Sequence, residues 1–147
     1  MSKILFPFDG SEYSQKAIEH AMAFAKALSA KIIGLNVVAE FHMPLDEGVV
    51  YPTVPTIKKR VDEEHKAKAQ QLLASVEEAA KSAGVECECI VAYNDTIYEE
   101  IINTAEKQDC DLIIMASHGH AGVTGLLLGS ETAKVLTHAK LPVLVLR

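Results

Sequence analysis

The chain has no tryptophan, and aromatic residues make up only 5% of it. Positive charge is also in deficit, with 14 Lys and Arg against 20 Asp and Glu and a formal charge of -6. Proteins that follow a nucleic-acid backbone need a basic stripe, often interleaved with aromatics for base stacking, and none is present. Long apolar runs are missing as well. No stretch approaches the roughly 20 residues of a membrane-spanning helix. The opening MSKILFPFDG carries one Lys and an apolar run too short for a signal peptide. These absences predict a cytoplasmic protein with neither a nucleic acid nor a membrane as partner.

Cysteine is scarce: three residues, an odd number, do not make a disulfide framework. Cys87 and Cys89 alternate within 85–92, so on a strand both side chains fall on one face, where they read as two small half-buried hydrophobes. No further ligands stand near them at metal-site spacing. Cys110 sits between Asp109 and Asp111 at a helix-to-strand turn and reads as structural. His20, His42, His65 and His138 are scattered without ligand spacing.

What is present is a core and a rhythm. At 147 residues and 49% hydrophobic composition, residues 1–147 form a single domain with no repeat, linker or low-complexity tract. Lys3 to Phe8 is a buried strand ending in Asp9-Gly10-Ser11, a turn and helix start. Ala17, Ile18, Ala21, Phe24, Ala25 and Leu28 recur at helical spacing, and Lys31 to Val38 is a second apolar strand. Residues 39–57 lose the pattern, and Pro44, Gly48, Pro52 and Pro55 predict a long loop there, placed to act as a lid. Lys58 to Ala83 is a long amphipathic helix closed by Gly84.

A third strand over 85–92, a helix begun by Asn94-Asp95-Thr96, a fourth strand at Leu112 to Met115, a last helix from Ser130 to His138 and a final strand, Val143 to Leu146, complete the chain. Strand and helix alternate throughout. That order predicts an α/β domain: one doubly wound, five-stranded parallel sheet with helices on both faces, Rossmann-like. Ligands of such sheets bind outside the carboxyl ends of the strands, where the winding reverses. If the first and fourth strands are neighbours, Asp9 and the stretch after Met115 face one crevice.

That stretch, Asp111 to Thr132, reads DLIIMASHGHAGVTGLLLGSET. A strand, a glycine-rich loop and a helix start, with Ser130 as the expected N-cap, make an anion site: free N–H groups, a positive dipole end and glycines that admit close approach. The loop is not of the Walker type, since no Gly-Lys-Ser/Thr occurs and no Lys lies between Lys107 and Lys134. Nor does a dinucleotide fingerprint follow the first strand, where Gly10 stands alone. Phosphates here must be met by backbone N–H groups, nearby His side chains and a magnesium ion, which suits binding better than rapid transfer.

At these residues the chain resembles the universal stress protein family, in its ATP-binding branch. The family signature is a glycine, two residues, a second glycine, nine residues, a third glycine and then Ser or Thr. Gly119, nine intervening residues, Gly129 and Ser130 match it, and Ala116 stands where the first glycine would be. The resemblance extends from ILFPFDGSEYS through GLNVV to LPVLVLR. It implies an adenine nucleotide, ATP or AMP, bound with magnesium. It places Asp9 near the ribose with Pro7 and Phe8 beside it, Val37 against the adenine, and Met115, Ala116, His118 and Gly119 along the nucleotide. Gly129, Ser130, Glu131 and Thr132 are implied to hold the phosphates. It implies a homodimer too, and the apolar last strand, Val143, Leu144, Val145 and Leu146, is the expected edge through which two copies pair.

Blander roles stand beside these. Asp9 can serve as a helix cap, and His120 reads as a solvated loop residue. No residue stands out as a general base, although Asp9 or His118 could orient a water, so ATP hydrolysis is expected to be slow at most. A rival reading keeps the fold and the dimer but gives the function to protein-binding surfaces, with the nucleotide site lost to Ala116. A phospho-receiver domain fits poorly, because only Asp9 stands where an acidic cluster is needed.

Overall fold

The structure, a computed structural model, describes residues 2–40, 54–120 and 127–147. Five strands alternate with four helices: β1 (Lys3–Pro7), α1 (Glu12–Ala27), β2 (Lys31–Val38), α2 (Val54–Ala83), β3 (Cys87–Tyr93), α3 (Ile97–Lys107), β4 (Leu112–Ala116), α4 (Ser130–His138) and β5 (Val143–Leu146). All pairings are parallel, in the order β3-β2-β1-β4-β5. The winding reverses between β1 and β4, where Ile4 pairs with Leu112 and Leu5 with Ile113.

The strands are apolar on both sides because both sides are covered. Ile4, Phe6, Ile32 and Ile114 join Ala17, Ala21, Leu73 and Val76 beneath α1 and α2. Leu5, Ile33, Leu35 and Ile113 join Ile101, Ala105 and Val135 beneath α3 and α4. Each fully buried Ile, Leu, Val or Phe among them contributes about 2 kcal/mol by removal of apolar surface from water. Alternation along β1 therefore feeds two cores, which explains its unbroken apolar run.

Several boundaries differ from the sequence expectation, with β1 ending at Pro7 rather than Phe8 and β4 at Ala116 rather than Met115. The second helix starts at Val54 rather than Lys58, with Pro55 inside its first turn, because a residue there needs no N–H partner and tolerates a fixed φ. The third strand runs over Cys87–Tyr93, its start set by pairing of Cys87 with Ile32. The N-cap of α4 is Gly129, with extended φ and ψ, and Ser130 is the first helical residue. The expected lid lies largely outside the described residues, as do Gly122 and Gly125. Gly10 adopts φ +78, which turns the chain from β1 into α1, and an added Cβ would meet the Leu72 side chain at 2.6 Å.

Candidate functional site

Where β1 and β4 end side by side, the chains diverge and leave a cleft of about 410 Å³. Pro7, Phe8 and Asp9 enter it from the end of β1, and Val37 from β2. Met115, Ala116, His118 and Gly119 come from the end of β4, and Gly129, Ser130, Glu131 and Thr132 from the start of α4. All twelve residues singled out in the sequence thus line one space. Ser14, Leu35, Asn36, Ile97, Ile101 and His120 line it as well.

The segment after β4 is tied to the helix that follows. Gly129 N–H donates to the Ser117 carbonyl at 2.7 Å, and the Thr132 hydroxyl donates to the Ala116 carbonyl at 2.9 Å. Ser117 N–H donates in turn to Leu146 O at 2.7 Å, so the end of β5 braces the same segment. A Cβ on Gly129 would lie 3.0 Å from His118 Cα and 3.1 Å from Ser117 O, which leaves room for glycine alone without a backbone shift. No side chain caps α4. Its first N–H groups, which have no intrahelical acceptor, stand at the cleft wall. The Ala116 methyl belongs to the core beneath α1, in one cluster with Phe6 and Phe8.

Glu131 lines this wall, and its carboxylate is engaged by neighbouring groups. Oε2 accepts from Tyr98 N–H at 2.9 Å, and Oε1 lies 3.7 Å from Lys134 Nζ. The N-cap of α3, Thr96, makes no side-chain cap bond, so Glu131 serves the first turn of α3 from a different helix.

Asp9 is held from both sides. Its Oδ1 accepts from Ser11 N–H and from the Ser14 hydroxyl, each at 2.9 Å, at the start of α1. Ser11 is the N-cap of that helix, its Oγ accepting from Ser14 N–H at 3.2 Å. Burial raises the Asp9 pKa, but hydrogen bonds from Ser11 and Ser14 and the charge of His120 outweigh it and hold the carboxyl below its ordinary value. Asp9 therefore supports the helix start without being its cap.

His120 is exposed, as expected of a solvated loop residue, and is also bonded to Asp9: its N–H donates to Asp9 Oδ2 at 3.2 Å and its Nε2 lies 2.6 Å from the Asp9 carbonyl oxygen. His118 Nδ1 lies 2.9 Å from Ser117 Oγ, and its ring rests on Tyr13 with centroids 4.9 Å apart. Asn36 is a residue the sequence argument passed over. It is buried, and its Nδ2 donates to Phe8 O at 2.8 Å, fixing the exit of β1. A lone Asn in the run KIIGLNVV was the available signal, since a buried amide needs a partner.

Among the described residues lining the cleft there is no Lys or Arg. No group of three or more His, Cys, Asp and Glu is arranged for a metal among the described residues. No helix there is long and apolar enough to cross a membrane.

Fold and site together define a doubly wound α/β protein with its crevice at the topological switch point. Residues 1–147 match the universal stress protein family. A universal stress protein of Bacillus subtilis is 32% identical over 148 residues, covering 99% of this chain and 99% of its own. One from Methanocaldococcus jannaschii is 28% identical over 153 residues, covering 99% of this chain and 94% of its own. Its solved structure superposes with a TM-score of 0.84 over 99% of this chain and 94% of that chain. A family protein from Arabidopsis thaliana, solved with AMP bound, shares the fold at a TM-score of 0.69 and 19% identity, over 99% and 91% of the two chains. The chain belongs to the universal stress protein family.

Proposed function

We propose that this universal stress protein binds an adenine nucleotide, ATP or AMP, in the switch-point cleft and acts in stress response through its nucleotide-dependent state as a homodimer. The observation that carries the reading is the start of α4: an uncapped helix N-terminus, reached through a glycine whose added Cβ would crowd the backbone of Ser117 and His118, on the wall of a cleft that also holds Asp9. Phosphates take the N–H groups of Ser130, Glu131 and Thr132, with the Glu131 carboxylate drawn aside by Tyr98. The ribose lies at Asp9, and the base lies among Val37, Ile97, Ile101 and Met115. AMP bound to the Arabidopsis relative agrees with this class of ligand.

Magnesium fits as a companion of the phosphates. The Asp9 and Glu131 oxygens are committed to protein donors. The ion would keep its waters and bind phosphate oxygens, as magnesium commonly does. Without Lys or Arg along the described wall, charge developing on a transferring phosphoryl group meets only backbone dipoles, so hydrolysis is slow at most. The homodimer forms through the exposed edge of β5.

Calorimetric titration with ATP and AMP, each with and without magnesium, tests the reading beside a Gly129→Val variant shown to be folded by circular dichroism. Binding by the wild type and its loss in the variant are expected. No heat with either nucleotide, in protein free of bound nucleotide, would move the function to protein-binding surfaces.

A further inference from the structure

Cys87 and Cys89 lie on β3, a strand at the edge of the sheet, with both side chains on the face covered by α2. Their sulfurs are 3.9 Å apart, and Cys89 Sγ is 3.8 Å from Leu73 O. Space for that sulfur exists because Cys89 pairs with Gly34 on β2, where an added Cβ would stand 2.9 Å from it. Both thiols are half-buried, so they are neither sealed in the core nor free in solvent.

The spacing selects among the reactions open to two thiols. A disulfide must shrink the 3.9 Å separation to about 2.05 Å, between residues that an extended strand holds about 6.6 Å apart; it also needs an oxidant. A zinc site closed by four protein ligands needs two more donors; the Glu77 carboxylate hydrogen-bonds Cys89, but among the described residues no group of three or more His, Cys, Asp and Glu is arranged for a metal. A trivalent arsenic inserted between the sulfurs is pyramidal, carries its third substituent itself and needs only two protein ligands, and it asks for a smaller closure of the 3.9 Å separation than a direct sulfur–sulfur bond does. We propose that Cys87 and Cys89 form a dithiol site that chelates one soft, thiophilic centre, and that its chemical class is the trivalent arsenical.

The step balances without a redox partner. An organic arsenoxide condenses with two thiols: two arsenic–sulfur bonds form, two S–H bonds break, and the oxygen leaves arsenic as one water with the two protons. Arsenic stays trivalent. The sulfur–sulfur contact holds the Cys87 thiol below its ordinary value, with burial opposing, and the same contact together with burial pushes Cys89 up. Either thiol can form the first bond to arsenic, and the other then closes the ring. Cys110 is an internal control. It lies on the opposite face of the sheet and is pushed up to about 11, chiefly by burial.

The test is titration of the reduced full chain with phenylarsine oxide, read by intact mass and by counting free thiols. One arsenical per chain and loss of two of the three thiols are expected. Arsenic should map to the tryptic peptide 82–107, which contains Cys87 and Cys89 but not Cys110. Cys110→Ser should bind as the wild type does. Cys87→Ser and Cys89→Ser should each lose resistance to a competing monothiol by about 100-fold or more, as two-point attachment becomes one-point. Peptide mapping on the wild type keeps the test decisive even if a serine variant is unstable. No uptake by the wild type, arsenic on the Cys110 peptide, or serine variants as resistant as the wild type would each overturn the site.

Discussion

His120 closes on Asp9 at two points, its N–H on the carboxylate Oδ2 at 3.2 Å and its ring Nε2 2.6 Å from the carbonyl oxygen. Gly119, just before it, cannot carry a Cβ without placing it 2.6 Å from that same Oδ2. The partners are 111 residues apart in sequence. They meet because β1 and β4 are neighbours, and the meeting fixes the floor of the cleft.

Acid stability should report on the Asp9 carboxylate and, chiefly, its Ser11 and Ser14 donors. Hydrogen bonding outweighs burial and holds the Asp9 carboxyl below 3.8, its ordinary value. A folded value below the unfolded one means that the carboxylate favours the folded state above about pH 4 and that this contribution is lost as pH falls through the folded value. Urea midpoints measured from about pH 7 down to about pH 3 should fall more steeply for the wild type than for Asp9→Asn. Matching acid limbs would remove Asp9 as a held carboxylate.

The two glycines of the cleft, Gly119 and Gly129, should respond differently to alanine. At Gly119 the obstacle is a side-chain oxygen, which can swing at the expense of its hydrogen bonds. At Gly129 it is the backbone of Ser117 and His118, which must move with the start of α4. Gly129→Ala is expected to cost about 1–3 kcal/mol of stability and to weaken nucleotide binding more than Gly119→Ala does. Urea unfolding and calorimetry on both variants decide it, and equal affinities would contradict the proposed phosphate position.

Glu131 separates cap from ligand. Its carboxylate serves Tyr98 N–H, so Glu131→Ala should destabilise the protein by about 1 kcal/mol, the usual cost of a lost cap. Nucleotide affinity should change less than about threefold, because the proposed phosphate contacts at this residue are backbone groups. A tenfold or larger loss of affinity with unchanged stability would reverse the assignment.

The proposed dimer turns on the edge of β5. Pro142 O and Leu146 O face β4, accepting from Ile113 and Ser117. By alternation Val143 and Val145 direct their N–H groups outward. Val145→Pro removes an outward donor and no bond to β4. Sedimentation should show a dimer for the wild type and a monomer for the variant, with little change in Tm. A wild-type monomer at micromolar concentration would refute the dimer.

Much of this architecture was legible locally. The apolar run KILFP and the helical spacing of Ala17, Ile18 and Ala21 betray their elements because burial imposes period 2 or 3.6 on neighbouring residues. The glycine spacing from Gly119 to Gly129 was legible for a similar reason, since close backbone approach disfavours a side chain at Gly129. Caps were less so. Ser130 carries a capping side chain, yet Gly129 takes the N-cap because its N–H is drawn to Ser117 O, a bond set by the sheet. Asn36 and His120 escaped because their partners, Phe8 and Asp9, lie on other elements.

By itself the sequence determined the alternation of strand and helix and the two-sided burial of the sheet, both consequences of side-chain periodicity and short-range spacing, and its resemblance to known proteins carried the family. Only the tertiary structure decided that β4 lies beside β1, that Glu131 serves α3 and that His120 reaches Asp9. Those contacts follow from strand order and the long-range closure it imposes, which no local window of residues encodes.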